Sequence, residues 1–213
     1  MEKRMFKVYA KNDEKIQLKV IPGHFVTSQS HITHYLDMTT MKTRCAEAGR
    51  IAATLAQRYE TTTPVDTIIC LDGLEVVGAF LAEELAQAGV LSMNAHKTIY
   101  IVTPEFHPNG QVLFRDNIQH MVKNRNVVIL MGSITTGATL HQCMESVLYY
   151  GGKIQGVSAI FSAVNKVAGM DINAVFYKQD IPNYESYHAQ DCPMCKKQEK
   201  IDAIVNGYGY SKL

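Results

Sequence analysis

Five apolar runs of strand length lie through the middle of this chain, at residues 65–71, 98–102, 126–130, 153–163 and 172–177. The first, "VDTIICL" (65–71), is apolar at almost every position. Such a run has no polar face to offer water, so it predicts a strand covered on both sides. Helical patterns separate the runs. In residues 41–59, Cys45, Ala48, Ala52, Leu55 and Tyr59 recur at spacings of three and four. A second helix is expected over 75–89, stopped by Gly89, and a third from Thr139 to Tyr150, stopped by Gly151-Gly152. Strand and helix in alternation predict an α/β fold: a mostly parallel, twisted sheet flanked by helices. Ligands of such folds collect at the carboxyl ends of the strands.

The two ends of the chain differ from this middle. Residues 1–40 hold short apolar pieces, "FKVYA" and "IQLKVI", which predict short strands in a small antiparallel unit. The segment 103–117, "TPEFHPNGQVLFRDN", reads as a long loop with a hairpin in it. The tail from Asp180 is polar, carries "CPMC" and ends in a helix-like "EKIDAIVN" (199–206). At 213 residues, 46% hydrophobic and 19% charged, the chain suits one globular domain with a sizeable core. A net charge of +1 with no basic run argues against a nucleic-acid partner. No apolar stretch approaches the roughly 20 residues of a membrane span, and "MEKRMFKVYAKNDEK" lacks the apolar centre of a signal peptide. The five cysteines are scattered and odd in number, which fits a reducing, cytoplasmic setting.

The strongest candidate for chemistry is Ser133 to Thr139, "SITTGAT", which follows the strand 126–130 and opens a helix. Amides at a helix start lack intrahelical acceptors and carry partial positive charge, so they hold phosphate well. Gly137 allows close backbone approach, and Thr135, Thr136 and Thr139 bring hydroxyl donors. The same residues would also serve as a capped strand-to-helix turn with no ligand.

This stretch resembles the phosphoribosyl-diphosphate (PRPP) loop of type I phosphoribosyltransferases, in which hydrophobic residues, two acids and two apolar positions precede Thr-Thr-Gly-x-Thr. "GHFVTSQSHITHYLD" (23–37) resembles the hood segment of orotate phosphoribosyltransferases, and "CPMC" their Cys-Pro-x-Cys ending. "VDTIICLDGLEVVGA" (65–79) resembles the diphosphate-binding loop. The resemblance spans nearly the whole chain. It implies a type I phosphoribosyltransferase-like fold in one domain, with a hood-like segment at 1–40, an α/β core at 41–178 and a tail at 179–213. It implies a 5′-phosphate site at Ser133, Thr135, Thr136, Gly137, Ala138 and Thr139. Diphosphate and Mg²⁺ fall to Asp72, Gly73 and Glu75, and the base to Ser28, Gln29 and His31. Members of the family are often homodimers.

Four departures stand against that pattern. Met131 and Gly132 replace the acidic pair that holds the ribose hydroxyls. The loop 103–117 has no lysine, and only His107 and Arg115 are potential cations in it. Ser162 and Ala163 stand where orotate enzymes have Asp-Arg, and Gln29 replaces a hood glycine. Two functions follow: phosphoribosyl transfer from PRPP to a pyrimidine-type base such as orotate, or a catalytically silent relative that binds a nucleotide or ribose phosphate. Asp72 and Glu75, or Asp116, would have to recruit Mg²⁺ in an active enzyme; as turn and helix-start acids they have a plainer reading. Two metal patterns stay open. His31-x-x-His34 has metal spacing but no third ligand nearby in sequence. Cys192-x-x-Cys195, with His188 before it, would hold zinc only with a further ligand.

Overall fold

The computed structural model describes residues 2–89, 92–107 and 110–213. In chain order the strands are β1 (Phe6–Tyr9), β2 (Gln17–Val26), β3 (His31–Asp37), β4 (Thr67–Cys70), β5 (Tyr100–Val102), β6 (Glu105–Phe106), β7 (Val112–Leu113), β8 (Asn126–Ile134), β9 (Lys153–Ser162), β10 (Lys166–Val167), β11 (Met170–Tyr177), β12 (Ser186–Tyr187), β13 (Ala203–Asn206) and β14 (Gly209–Lys212). The helices are α1 (Thr39–Thr43), α2 (Cys45–Ala56), α3 (Glu75–Gln87), α4 (Asp116–Gln119), α5 (Ala138–Tyr149) and α6 (Pro193–Lys196).

All five apolar runs enter one sheet, ordered β10-β11-β9-β8-β4-β5. Its strands pair parallel except for the short β10, which pairs antiparallel with β11. Side chains alternate between faces along each strand. In β4 and the residue after it, Ile68 and Cys70 join one apolar cluster while Ile69 and Leu71 join another. The first cluster takes in Ala48, Ile51 and Leu55 of α2 and Val77, Leu81 and Leu85 of α3. The second takes in Leu140, Cys143 and Val147 of α5. The sheet is thus covered on both faces, and this is why "VDTIICL" has no polar side.

A second sheet, ordered β12-β3-β2-β13-β14 with β1 on β2, is built from both ends of the chain. Its Leu18, Val20 and Phe25 pack into the same cluster as α2 and α3. The antiparallel β1, β2 and β3 match the expectation for residues 1–40.

Three expected elements differ. The helix expected over 41–59 is two helices, because Arg44 is extended (φ −99°, ψ 119°) between them. The first begins earlier, where the Asp37 carboxylate accepts the Thr39 amide at 3.0 Å. The strand expected to end at Leu130 runs on to Ile134, so Met131 and Gly132 are strand residues and not loop. "EKIDAIVN" forms no helix. Ala203 to Asn206 are a strand, with Ala203 and Val205 inward and the alternate residues out. Eight residues with so few apolar positions fit either period, and pairing with β2 and β14 decides for the strand. The hairpin within 103–117 is present as β6 and β7.

Candidate functional site

A cavity of about 650 Å³ opens where β4 and β8 end beneath the loop joining β2 to β3. That size suits a small organic ligand. Ser133, Thr135, Thr136, Gly137, Ala138 and Thr139 all line it. Asp72 and Gly73 line it from the next strand, and Ser28 and Gln29 from above. Ile32, Tyr35, Met131 and Tyr184 give it an apolar part. The three stretches that the sequence singles out for phosphate, diphosphate and base therefore face one space.

The geometry of the turn from Ser133 to Thr139 follows from one backbone angle. Gly137 has φ +84°, in the left-handed region, and directly precedes α5. Its carbonyl accepts the His141 amide at 2.8 Å, while Ala138 N reaches only the Thr136 hydroxyl, at 3.4 Å. The amides heading α5 have no carbonyl one turn earlier, so their charge is presented to the cavity. Gly137 is also pressed from behind: a Cβ there would lie 2.6 Å from Val167 Cγ2 of β10.

The side of the cavity next to Gly132 is organised around Lys42, which the sequence reading missed. Its Nζ donates to the Asp72 carbonyl at 2.8 Å and to the Gly207 carbonyl at 2.6 Å. A Cβ at Gly132 would lie 3.0 Å from that Nζ and 3.1 Å from Asp72 Cβ. Asp72 Oδ2 in turn accepts the Gly132 amide at 3.0 Å. Lys42 is the one basic side chain among the described residues lining the cavity, and Asp72 the one acid. Burial pushes the Lys42 ammonium below its ordinary range, against the opposing pull of Asp72 and Glu75. The signal for Lys42 lay in the helix start: once Asp37 caps at Thr39, residue 42 falls within a short helix beside the cavity and not at the head of a long one.

The chain covers its own Asp72–Gly73 turn. Asp72 (φ +58°) and Gly73 (φ +74°) form the turn between β4 and α3. The turn from Asn206 to Gly209 lies against them. A Cβ on Gly207 would collide with the Asp72 carboxylate, and Tyr208 Cε1 lies 3.6 Å from where a Gly73 Cβ would be.

Other expected residues fall elsewhere. Glu75 lies outside the cavity lining, in the first turn of α3, and its carboxylate accepts the Thr103 hydroxyl at 2.9 Å. His31 is also outside the lining; its Nδ1 faces Cys195 Sγ at 3.3 Å, so its imidazole belongs to a different cluster. Arg115 is held by Glu105 through two bonds of 2.6 and 2.8 Å that close the β6–β7 hairpin. His107 donates its amide to the Gln111 carbonyl, and residues 108–109 of that hairpin lie outside the described residues. Ser162 turns back on the chain, its hydroxyl donating to the Val164 carbonyl at 2.6 Å. His34 bonds Thr33 and stacks on Tyr184.

No protein-family model matches the chain. The chain is similar to orotate phosphoribosyltransferase from Carboxydothermus hydrogenoformans, with 25% identity over 178 residues, 83% of this chain and 85% of that one. It is similar to the orotate phosphoribosyltransferase of Sulfurimonas denitrificans, with 28% identity over 192 residues, 83% of this chain and 88% of that one. Among solved structures it resembles orotate phosphoribosyltransferase from Mycobacterium tuberculosis, at 16% identity and TM-score 0.51, covering 76% of this chain and 91% of that one. It also resembles adenine phosphoribosyltransferase from Leishmania donovani, at 14% identity and TM-score 0.53, covering 75% and 78%.

Proposed function

Because the chain belongs to the type I phosphoribosyltransferase family, we propose that its cavity binds the 5′-phosphate of a nucleotide or ribose phosphate without transferring the ribosyl group. The phosphate sits at the head of α5, on the amides and hydroxyls of Thr135 to Thr139. The base lies in the apolar part, beneath Ser28 and Gln29.

One observation carries the reading against transfer: the Asn206–Gly209 turn lies on Asp72 and Gly73, where the leaving diphosphate would bind. Transfer passes through a cationic ribosyl centre and expels diphosphate, so it needs positive charge on the leaving group. Lys42, the one cation lining the cavity among the described residues, is already committed to two carbonyls and stands next to Asp72. The two acids are also engaged within the chain. Asp72 holds the Gly132 amide and Glu75 the Thr103 hydroxyl. No step is assigned to Mg²⁺.

A second reading, phosphoribosyl transfer to a pyrimidine-type base such as orotate, is favoured by the names of the relatives and by the hood-like loop over the cavity. A pair of measurements separates the two. Thermal shift with uridylate, orotidylate, purine mononucleotides and ribose-5-phosphate is expected to raise the melting temperature. Diphosphate release from PRPP with Mg²⁺ and orotate, uracil or a purine base is expected to stay at background. Steady diphosphate release with any base would sink the silent reading. No stabilisation by any phosphorylated ligand would sink the binding site itself.

A further inference from the structure

We propose that His24, His31, Cys192 and Cys195 hold one structural zinc ion that fastens the tail to the hood-like sheet. Their ligand atoms all lie within 4.8 Å of one another. His24 Nε2 is 3.0 Å from His31 Nδ1, 3.6 Å from Cys192 Sγ and 3.5 Å from Cys195 Sγ. Cys195 Sγ is 3.3 Å from His31 Nδ1. A tetrahedron built on ordinary zinc bond lengths has edges of about 3.3 Å between two nitrogens and about 3.6 Å between nitrogen and sulfur. Four of the six edges are therefore already within a few tenths of an ångström of what zinc requires, and the other two are no longer than 4.8 Å.

Protonation supports the same assignment. His24 Nδ1 lies 3.1 Å from the Glu199 carbonyl, which can only accept, so the ring proton is on Nδ1. In the neutral ring, which metal binding requires, His24 Nε2 then presents a lone pair to His31, Cys192 and Cys195 together. A single lone pair accepts one hydrogen bond well; three polar atoms converging on it call for a cation at their centre. The backbone acceptor behind His24 is also the usual partner of a zinc-bound imidazole. Binding releases the two thiol protons to solvent, and Zn²⁺ with two thiolates and two neutral imidazoles has no net charge. A neutral centre suits the buried His24 and Cys192.

The ligands come from β2, the start of β3 and the Cys192–Cys195 segment, and only the fold brings the histidines to the cysteines. His24 is in β2 and His31 begins β3, so the loop between them, with Ser28 and Gln29, hangs from the metal. Cys192 precedes α6 and Cys195 lies within it. From there the chain runs through Asp202, which accepts the His24 amide at 3.1 Å, into β13 and the turn on Asp72. The ion thus fixes both rims of the cavity. His34 and His188 take no part.

The test is metal analysis of the full chain, purified without chelators or a metal-affinity step. It should carry about one zinc per chain, and Co²⁺ exchanged into it should give thiolate-to-cobalt charge transfer and the intense visible bands of a tetrahedral ion. Removing the metal with a strong chelator should lower the melting temperature by on the order of 10 °C, restored by added zinc. Cys195→Ser should lose most of the zinc, while Cys45→Ser, at an exposed cysteine outside the cluster, should keep it. If Cys195→Ser fails to fold, the cobalt spectrum of the unaltered chain decides. Zinc below about a tenth per chain with no tetrahedral cobalt spectrum would overturn the site. So would recovery of Cys192 and Cys195 as a disulfide from protein made under reducing conditions with zinc supplied.

Discussion

Gly137→Val is expected to lower the melting temperature by on the order of 10 °C, with ligand present or absent. Two costs add. A β-branched residue at φ +84° is strained by about 1–2 kcal/mol. The new side chain also meets Val167, which already sits 2.6 Å from a Cβ at this position, and such overpacking costs about 1–3 kcal/mol. The sequence alone presents Gly137 as the point where a phosphate approaches, so that valine would merely crowd the ligand. The fold shows that β10 crowds it as well. Loss of binding in Gly137→Val is therefore no proof of a phosphate site. Thr135→Val with Thr139→Val is the cleaner probe, because it keeps backbone and volume and removes only hydroxyl donors. Calorimetric titration with a nucleoside monophosphate should show affinity reduced about tenfold or more, which is roughly 1.4 kcal/mol. Unchanged affinity in this pair would remove the phosphate from the head of α5. An unchanged melting temperature in Gly137→Val would show that Val167 gives way freely.

Lys42→Met is the second large effect. It deletes two charge-assisted bonds, to the Asp72 and Gly207 carbonyls, each in the range of about 1.5–3 kcal/mol. Relief of burying an ammonium offsets part of this, so a net loss of about 2–4 kcal/mol is expected in denaturant unfolding. The loss should be local in its consequences. Hydrogen exchange should quicken at residues 205–209, because the Gly207 carbonyl is no longer fixed. The pH dependence has a definite sign. Burial lowers the folded-state pKa of Lys42, so below it folding must bury a charge, and that penalty fades as pH rises from the folded value to the unfolded one. The stability of the unaltered chain minus that of Lys42→Met should therefore grow with pH through this alkaline window. Taking the difference cancels the buried tyrosines Tyr35 and Tyr184, whose raised pKa values act in the opposite direction in both proteins. A flat difference, or unchanged exchange at the turn, would mean that Lys42 does not hold the tail down.

The α/β core was legible because strands buried on both faces write themselves as unbroken apolar runs. Val127 to Leu130 could hardly have been anything else. The end of β8 was harder to read, since glycine and serine at 132 and 133 look like a loop by composition. They are strand because β9 supplies partners as far as Ser162. In the site, "ITTGAT" announces its own geometry, since helix start and glycine turn are local properties. Lys42, the Asn206–Gly209 turn and the pairing of His24 with Cys192 are not local. They depend on contacts spanning 30 to 168 residues, which no periodicity encodes. "EKIDAIVN" failed for a related reason: its conformation is chosen by β2, nearly two hundred residues earlier.

The alternation of side chains along β8 also decides what an acidic pair at positions 131 and 132 would meet. Met131 points toward α5, among apolar neighbours, while Gly132 points the other way, onto Asp72 and Lys42. Restoring an acid at 131 alone would put a carboxylate against that apolar cluster; restoring one at 132 alone would press it on Asp72. An acid at 132 would also meet the Lys42 ammonium, whose Nζ lies 3.0 Å from a Cβ there. Neighbouring positions in one strand thus answer to opposite faces of the sheet, so an acidic pair at 131 and 132 would have to be accommodated by two separate environments at once.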